Sequence, residues 1–137
     1  MEYQNYDELC EKQKEINKKY LEIFERDLKK AGLKQKTIKR HLFNADLYIN
    51  TYLLREGPLE MAEGCNFTIN SFMGCFYIYK CIWSNPYNVK TTAASIKKFY
   101  KSMKEHGYVN SKDYKELCNT IKEEMEDWQE ECGSLLN

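Results

Sequence analysis

Val89–Val109, VKTTAASIKKFYKSMKEHGYV, is the stretch whose reading decides the fold. Its apolar residues Val89, Ala93, Ile96, Phe99, Tyr100 and Met103 recur at intervals of three and four. That spacing puts them on one face of an α-helix, whereas a strand would scatter them over both of its faces. Lys97, Lys101 and Lys104 form a second stripe at the same spacing. Thr91 or Thr92 can accept the first orphan N–H groups as N-cap, and Gly107 can close the helix in the left-handed conformation. A helix packed on one side and lysine-bearing on the other can hold a row of positive charge against an anion. The same face also meets the ordinary need of a solvated helix surface.

Working outward, Ser84-Asn85-Pro86 is a turn that separates this helix from Asn66–Trp83. The segment FTINSFMGCFYIYKCIW is aromatic and β-branched enough to suggest strands. Ile69, Phe72/Met73, Phe76, Tyr79/Lys80 and Trp83 also fit a helix, and the length favours a central helix buried nearly all round. Gly74 would then admit the close approach of another backbone. After Gly107, Asn110 or Ser111 caps a last helix to about Cys132, with Tyr114, Leu117/Cys118, Ile121, Met125, Trp128 and Cys132 inward. Toward the N-terminus, Asp7–Ala31 is helical, with Leu9, Ile16, Tyr20, Ile23, Phe24 and Leu28 on the inner face and Gly32 as its stop. Thr37 or a neighbour starts a second helix to about Arg55, its stripe Ile38, Leu42, Ala45, Ile49, Tyr52 and Leu53, ended by Gly57-Pro58. Glu56–Cys65 is a loop with at most a turn of helix. The expected architecture is all-α: a single domain of about five helices, with a core from about 7 to 132 and loose ends at 1–6 and 133–137.

At 137 residues the chain suits one domain, burying roughly two-thirds of its unfolded surface. Twenty-one basic residues balance twenty-one acidic ones, so no global field draws the protein to nucleic acid. Charge is separated locally instead. Lys29, Lys30, Lys34, Lys36, Lys39 and Arg40 follow one another without an acid, and Glu123–Glu131 is acidic without a base. Six cysteines with no export signal are expected to be reduced thiols in the cytoplasm. No pair of them has zinc spacing, so neither a metal nor a cofactor is expected. No apolar run has transmembrane length, and no membrane partner is expected.

Catalytic candidates are thin. His41 and His106 suit surface or capping roles, no nucleophile–base context is visible, and glycine-rich phosphate loops are absent. No enzymatic activity is expected. The remaining signal is positional: two basic helix starts, Lys34–Arg40 and Lys90–Lys104, where free N–H groups and hydroxyls of Thr37, Thr91 and Thr92 suit phosphate oxygens.

Two stretches carry a resemblance. Gly32-Leu33, Thr37-Ile38, Leu42, Ile49 and Leu53 resemble the first signature of the SAM-like, core-binding N-terminal domain of phage-integrase (tyrosine recombinase) proteins. Ala93-Ala94-Ser95-Ile96-Lys97-Lys98-Phe99-Tyr100, with Met103 and Gly107, resembles the second. The likeness covers about Tyr20 to Cys132 and implies a bacterial DNA-recombination module of four or five helices that clamps duplex DNA. By that resemblance Lys97 falls at a basic position of the DNA-facing helix, and Thr37, with Lys36 beside it, at the helix start nearest the backbone. Periodicity adds Lys39, Arg40, Lys90, Thr91 and Lys101. The family's catalytic Arg…His-x-x-Arg…Tyr set has no counterpart, since the three arginines are Arg26, Arg40 and Arg55. The expected function is therefore non-catalytic binding of duplex phosphates. A protein–protein adaptor or homo-oligomer that keeps the fold without binding DNA is the alternative, using the sparsely apolar first helix and the acidic last one.

Overall fold

The computed structural model describes residues 2–136, with Met1 and Asn137 outside them; residues 2–6, expected to be loose, already belong to the first helix. Helix makes up 84% of the chain with no strand among the described residues, which places it in the all-α class. Contacts divide the chain at the Gly64–Cys65 bond into two compact units. No linker composition marks this point in the sequence.

The first unit is a helical hairpin. Helix α1 (Glu2–Lys30) turns at Gly32 into α2, which runs as an α-helix over Gln35–Asp46, a π-helical segment over Leu47–Tyr52 and a last turn over Leu53–Arg55. Gly32 has φ +78°, and its N–H bonds Lys29 O while Leu33 N–H bonds Leu28 O. This double closure needs a left-handed residue, which glycine adopts without a Cβ clash. The helices run antiparallel. The Tyr6 hydroxyl donates to Leu54 O at 2.5 Å, Asn17 Nδ2 to Ile49 O at 3.3 Å, and the Phe24 and His41 rings lie 6.4 Å apart. Beyond α2, the helical turn expected around Leu59–Ala62 lies later, as a 3-10 turn at Met61–Cys65, and the Tyr48 hydroxyl donates to Gly64 O at 2.6 Å.

The expected inner face of α1 needs correction. Phe24 and Leu28 are buried, but Leu9 and Ile16 are 44% and 45% exposed, and the buried residues one turn away are Gln13 and Asn17. The reason lies on α2. A π-helical turn shifts the backbone bonding by one residue, here with Leu53 N–H bonding Tyr48 O. Asn17 reaches into that segment to Ile49 O and, at 2.8 Å, to Asn50 Oδ1, and it accepts from Gln13 Nε2 at 2.9 Å.

The second unit holds the other three helices. α3 runs through Thr68–Ser71, a π-helical segment Phe72–Phe76 and Tyr77–Lys80; α4 is Pro86–Glu105 and α5 is Ser111–Leu136. α4 and α5 form a second antiparallel hairpin, with Gln129 Nε2 donating to Pro86 O at 2.9 Å and Lys104 Nζ 4.8 Å from the Tyr114 ring centroid. Gly107 closes α4 at φ +85°, with Tyr108 N–H on Met103 O, and the Asn110 side chain caps α5 through Asp113 N–H at 2.7 Å. Residues 133–136, expected to fray, continue α5, because its end is held at Pro86 and by the buried Cys132.

α3 is helical as expected but is not buried all round: Ser71, Cys75, Tyr79 and Lys80 face solvent. Its inward stripe begins on Ile69, Phe72 and Met73, then shifts by one residue to Tyr77, Ile78 and Cys81. The π-helical turn inserts that extra residue, which moves Phe76 to partial exposure and Trp83 out of the stripe. Gly74 does permit a close approach, but of a side chain: a Cβ there would lie 3.0 Å from Trp128 Cδ1 and Nε1. Trp128 Nε1 donates to Asn70 Oδ1 at 2.8 Å.

Candidate nucleic-acid interface

α4 is the element on which charge collects. Its inner side is buried from Val89 through Ala93, Ile96, Phe99 and Tyr100 to Met103, as the spacing predicts. The outer side presents Lys90, Lys97, Lys98 and Lys101 to solvent. None of these four lysines makes an ion pair among the described residues. Lys104, part of the same expected stripe, is half-buried over Tyr114 and is committed to that ring. From Lys90 to Lys101 the row extends about 16 Å along the helix axis.

The start of α4 lies further upstream than the threonines suggested. Asn85 is the N-cap, its Oδ1 accepting from Asn88 N–H at 2.7 Å, and Pro86 occupies the first turn, where its missing N–H costs nothing. Thr91 therefore lies inside the helix with its hydroxyl on Asn88 O at 3.3 Å, and Thr92 is buried with its hydroxyl 3.0 Å from the Tyr77 hydroxyl. Neither serves as the N-cap, and Lys90 and Thr91 stand beyond the helix start and its free N–H groups. The Asn-Pro pair in the sequence carries the true start signal, and it outcompetes threonine because proline pre-sets the helical φ.

The α2 cluster begins at Gln35, two residues before Thr37, with Lys34 in the N-cap position and no side-chain cap. Lys36, Lys39 and Arg40 are exposed and Thr37 is half-buried. These four residues belong to the first unit and Lys90, Thr91, Lys97 and Lys101 to the second. A groove of about 580 Å³ runs between α1 and α2; Leu21, Leu42 and Phe43 line it, and its three lysines are matched by Glu22, Glu25 and Asp46, so it carries no net positive charge.

His41 is not a surface residue: it is buried beside the Phe24 ring, while His106 is the exposed C-cap of α4. No group of three or more His, Cys, Asp or Glu residues among the described residues could hold a metal ion. Two features escaped sequence reading. Lys98 joins the α4 face, which its position next to Lys97 and three residues before Lys101 could have shown. The Ile82-Trp83 pair is exposed beside the head of α4, a placement hidden by the π-helical insertion in α3.

Comparison with protein-family models, with curated proteins and with solved structures finds no match.

Proposed function

We propose that the chain is a non-catalytic DNA-binding module of the integrase core-binding kind, which grips duplex phosphates through the lysine face of α4. The observation that carries this is the row Lys90, Lys97, Lys98 and Lys101: four exposed cations along one helix with no acid paired to them among the described residues. A helix whose other side is core fixes the backbone that carries the row, and lysine serves as a point-charge phosphate binder on a flexible stem. Lys36, Thr37, Lys39 and Arg40 supply a second set of backbone contacts in this proposal. A cytoplasmic setting accompanies it and suits the six unpaired cysteines. The test is fluorescence anisotropy with a labelled random duplex of about 25 base pairs, where Lys97→Glu/Lys101→Glu should weaken binding at least tenfold while leaving the thermal midpoint unchanged. Undiminished binding by that variant would remove α4 from the interface.

One observation favours the adaptor reading instead. Leu9 and Ile16, seven residues apart on α1, stay near half-exposed, as an apolar seam awaiting a partner helix would. Light scattering of the wild type against Leu9→Ser/Ile16→Ser decides it, a lost oligomer being its signature.

A further inference from the structure

Between α3 and α4 the chain makes a short knuckle, residues 81–87, that exposes more apolar surface than any packing need explains. Ile82 is 99% exposed, Trp83 43% and Tyr87 69%. This knuckle is firmly held. Ser84 N–H bonds Cys81 O at 3.0 Å, the Ser84 hydroxyl donates to Ile78 O at 3.1 Å, and Asn88 Nδ2 donates to Trp83 O at 2.7 Å. Behind it, the buried Tyr77 hydroxyl accepts from Thr92 at 3.0 Å, donates to Asn88 O at 3.5 Å, and hydrogen-bonds the Trp83 indole. The rings are thus presented by a fixed loop.

Their place relative to charge is equally specific. Tyr87 lies one turn before Lys90 and at helical spacing from Lys98 and Lys101, so an exposed aromatic heads the lysine row on the same face. Lysines alone read phosphates and are blind to whether the bases are paired. An aromatic face meets a base only where the base is unstacked, because a paired base inside a duplex offers its π-surface to its neighbours. The charge is a linear row with the apolar group at one end, which matches a linear polyanion carrying free bases at one end better than a planar lipid surface.

We propose that the knuckle stacks on unpaired bases, so that the preferred ligand is a duplex with a single-stranded extension. This rests on the DNA-binding reading above and narrows it. Trp83 and Tyr87 take the bases, Ile82 covers their edges, and the α4 lysines hold the adjoining duplex phosphates.

The test compares anisotropy titrations of a blunt duplex of about 20 base pairs with the same duplex bearing a single-stranded tail of about six nucleotides. The tailed duplex should bind at least about tenfold tighter, within the range that base stacking contributes. It should also quench Trp83 fluorescence, with buried Trp128 as the unquenched reference. Tyr87→Ala should bring the tailed affinity down toward that of the blunt duplex. Trp83→Phe, which keeps a stacking ring, should retain most of the preference, whereas Trp83→Ala should lose it. Equal affinity for the two duplexes would overturn the proposal and leave the DNA-binding reading standing. Binding of neither would overturn both. Ile82-dependent capture on phosphatidylserine vesicles without a tail preference would replace the nucleic acid with a lipid surface.

Discussion

Asn17 is fully buried in the middle of an otherwise charged helix, and its amide serves three partners: Gln13, Asn50 and the Ile49 carbonyl. Asn50 passes the chain on to Asp46 Oδ1 at 2.7 Å. Asn17→Ala would leave these groups unpaired beneath a packed surface, and urea unfolding should show a loss of about 2–3 kcal/mol. An exposed neighbour such as Lys18→Ala should cost under about 0.5 kcal/mol. A rule that apolar residues turn inward selects Leu9 and Ile16 over Gln13 and Asn17, and nothing within α1 corrects it. The information lies in the backbone of α2, thirty residues away. Cys65 poses a different residue-scale case. Burial, then the neighbouring Asp113, Cys118 and Glu116, push its thiol from 9.0 up to about 12. The fold therefore favours the neutral thiol. Its contribution is complete below pH 9 and is lost progressively as pH climbs from 9 toward 12. Thermal midpoints between pH 8 and 10.5 should fall more steeply in the wild type than in Cys65→Ala.

At the scale of elements, both hairpins are closed by glycine, and both glycines are visible in the sequence because only this residue takes positive φ without strain. Gly107→Ala should destabilise by about 1 kcal/mol through that strain alone, since a Cβ there meets nothing within 4 Å. A midpoint unchanged in urea would show that the α4 terminus has relaxed elsewhere. The faces of α4 and α5 are legible for a related reason: uninterrupted helices keep the 3.6-residue period that the apolar spacing records. α2 and α3 each carry a π-helical turn; the expected stripe of α2 stays buried at Ile49, Tyr52 and Leu53, whereas the sequence period of α3 fails at that point. Phe76 and Trp83 are assigned inward by a period that Tyr77, Ile78 and Cys81 satisfy after the insertion. A cap at Thr91 or Thr92 would start α4 six or seven residues late, because two threonines resemble caps, while Asn85-Pro86 supplies both the cap and the fixed φ.

For the whole molecule, equal numbers of acids and bases mean that binding to an anion must rest on the local row, without long-range attraction. If about five phosphates are neutralised, the logarithm of affinity should fall against that of salt with a slope of about −4 to −5. Lys97→Glu/Lys101→Glu should flatten that slope, whereas a substitution in the acidic face of α5, such as Glu126→Gln, should leave it unchanged. The all-α class and five long helices follow from spacing and caps in the sequence, but the composition of the candidate interface does not. Lysines announce themselves by charge, while the aromatic head of the row is set by how one loop is tied. The Gly32 turn has one more consequence. The bonds from Tyr6 and Asn17 join α1 to α2, and only the residues between Lys30 and Gln35 decide whether the two belong to the same chain. Open that turn, and α1 of one copy can lie on α2 of another with Asn17 still on Ile49. The tight glycine turn thus favours pairing of α1 with the α2 of its own chain over exchange between copies.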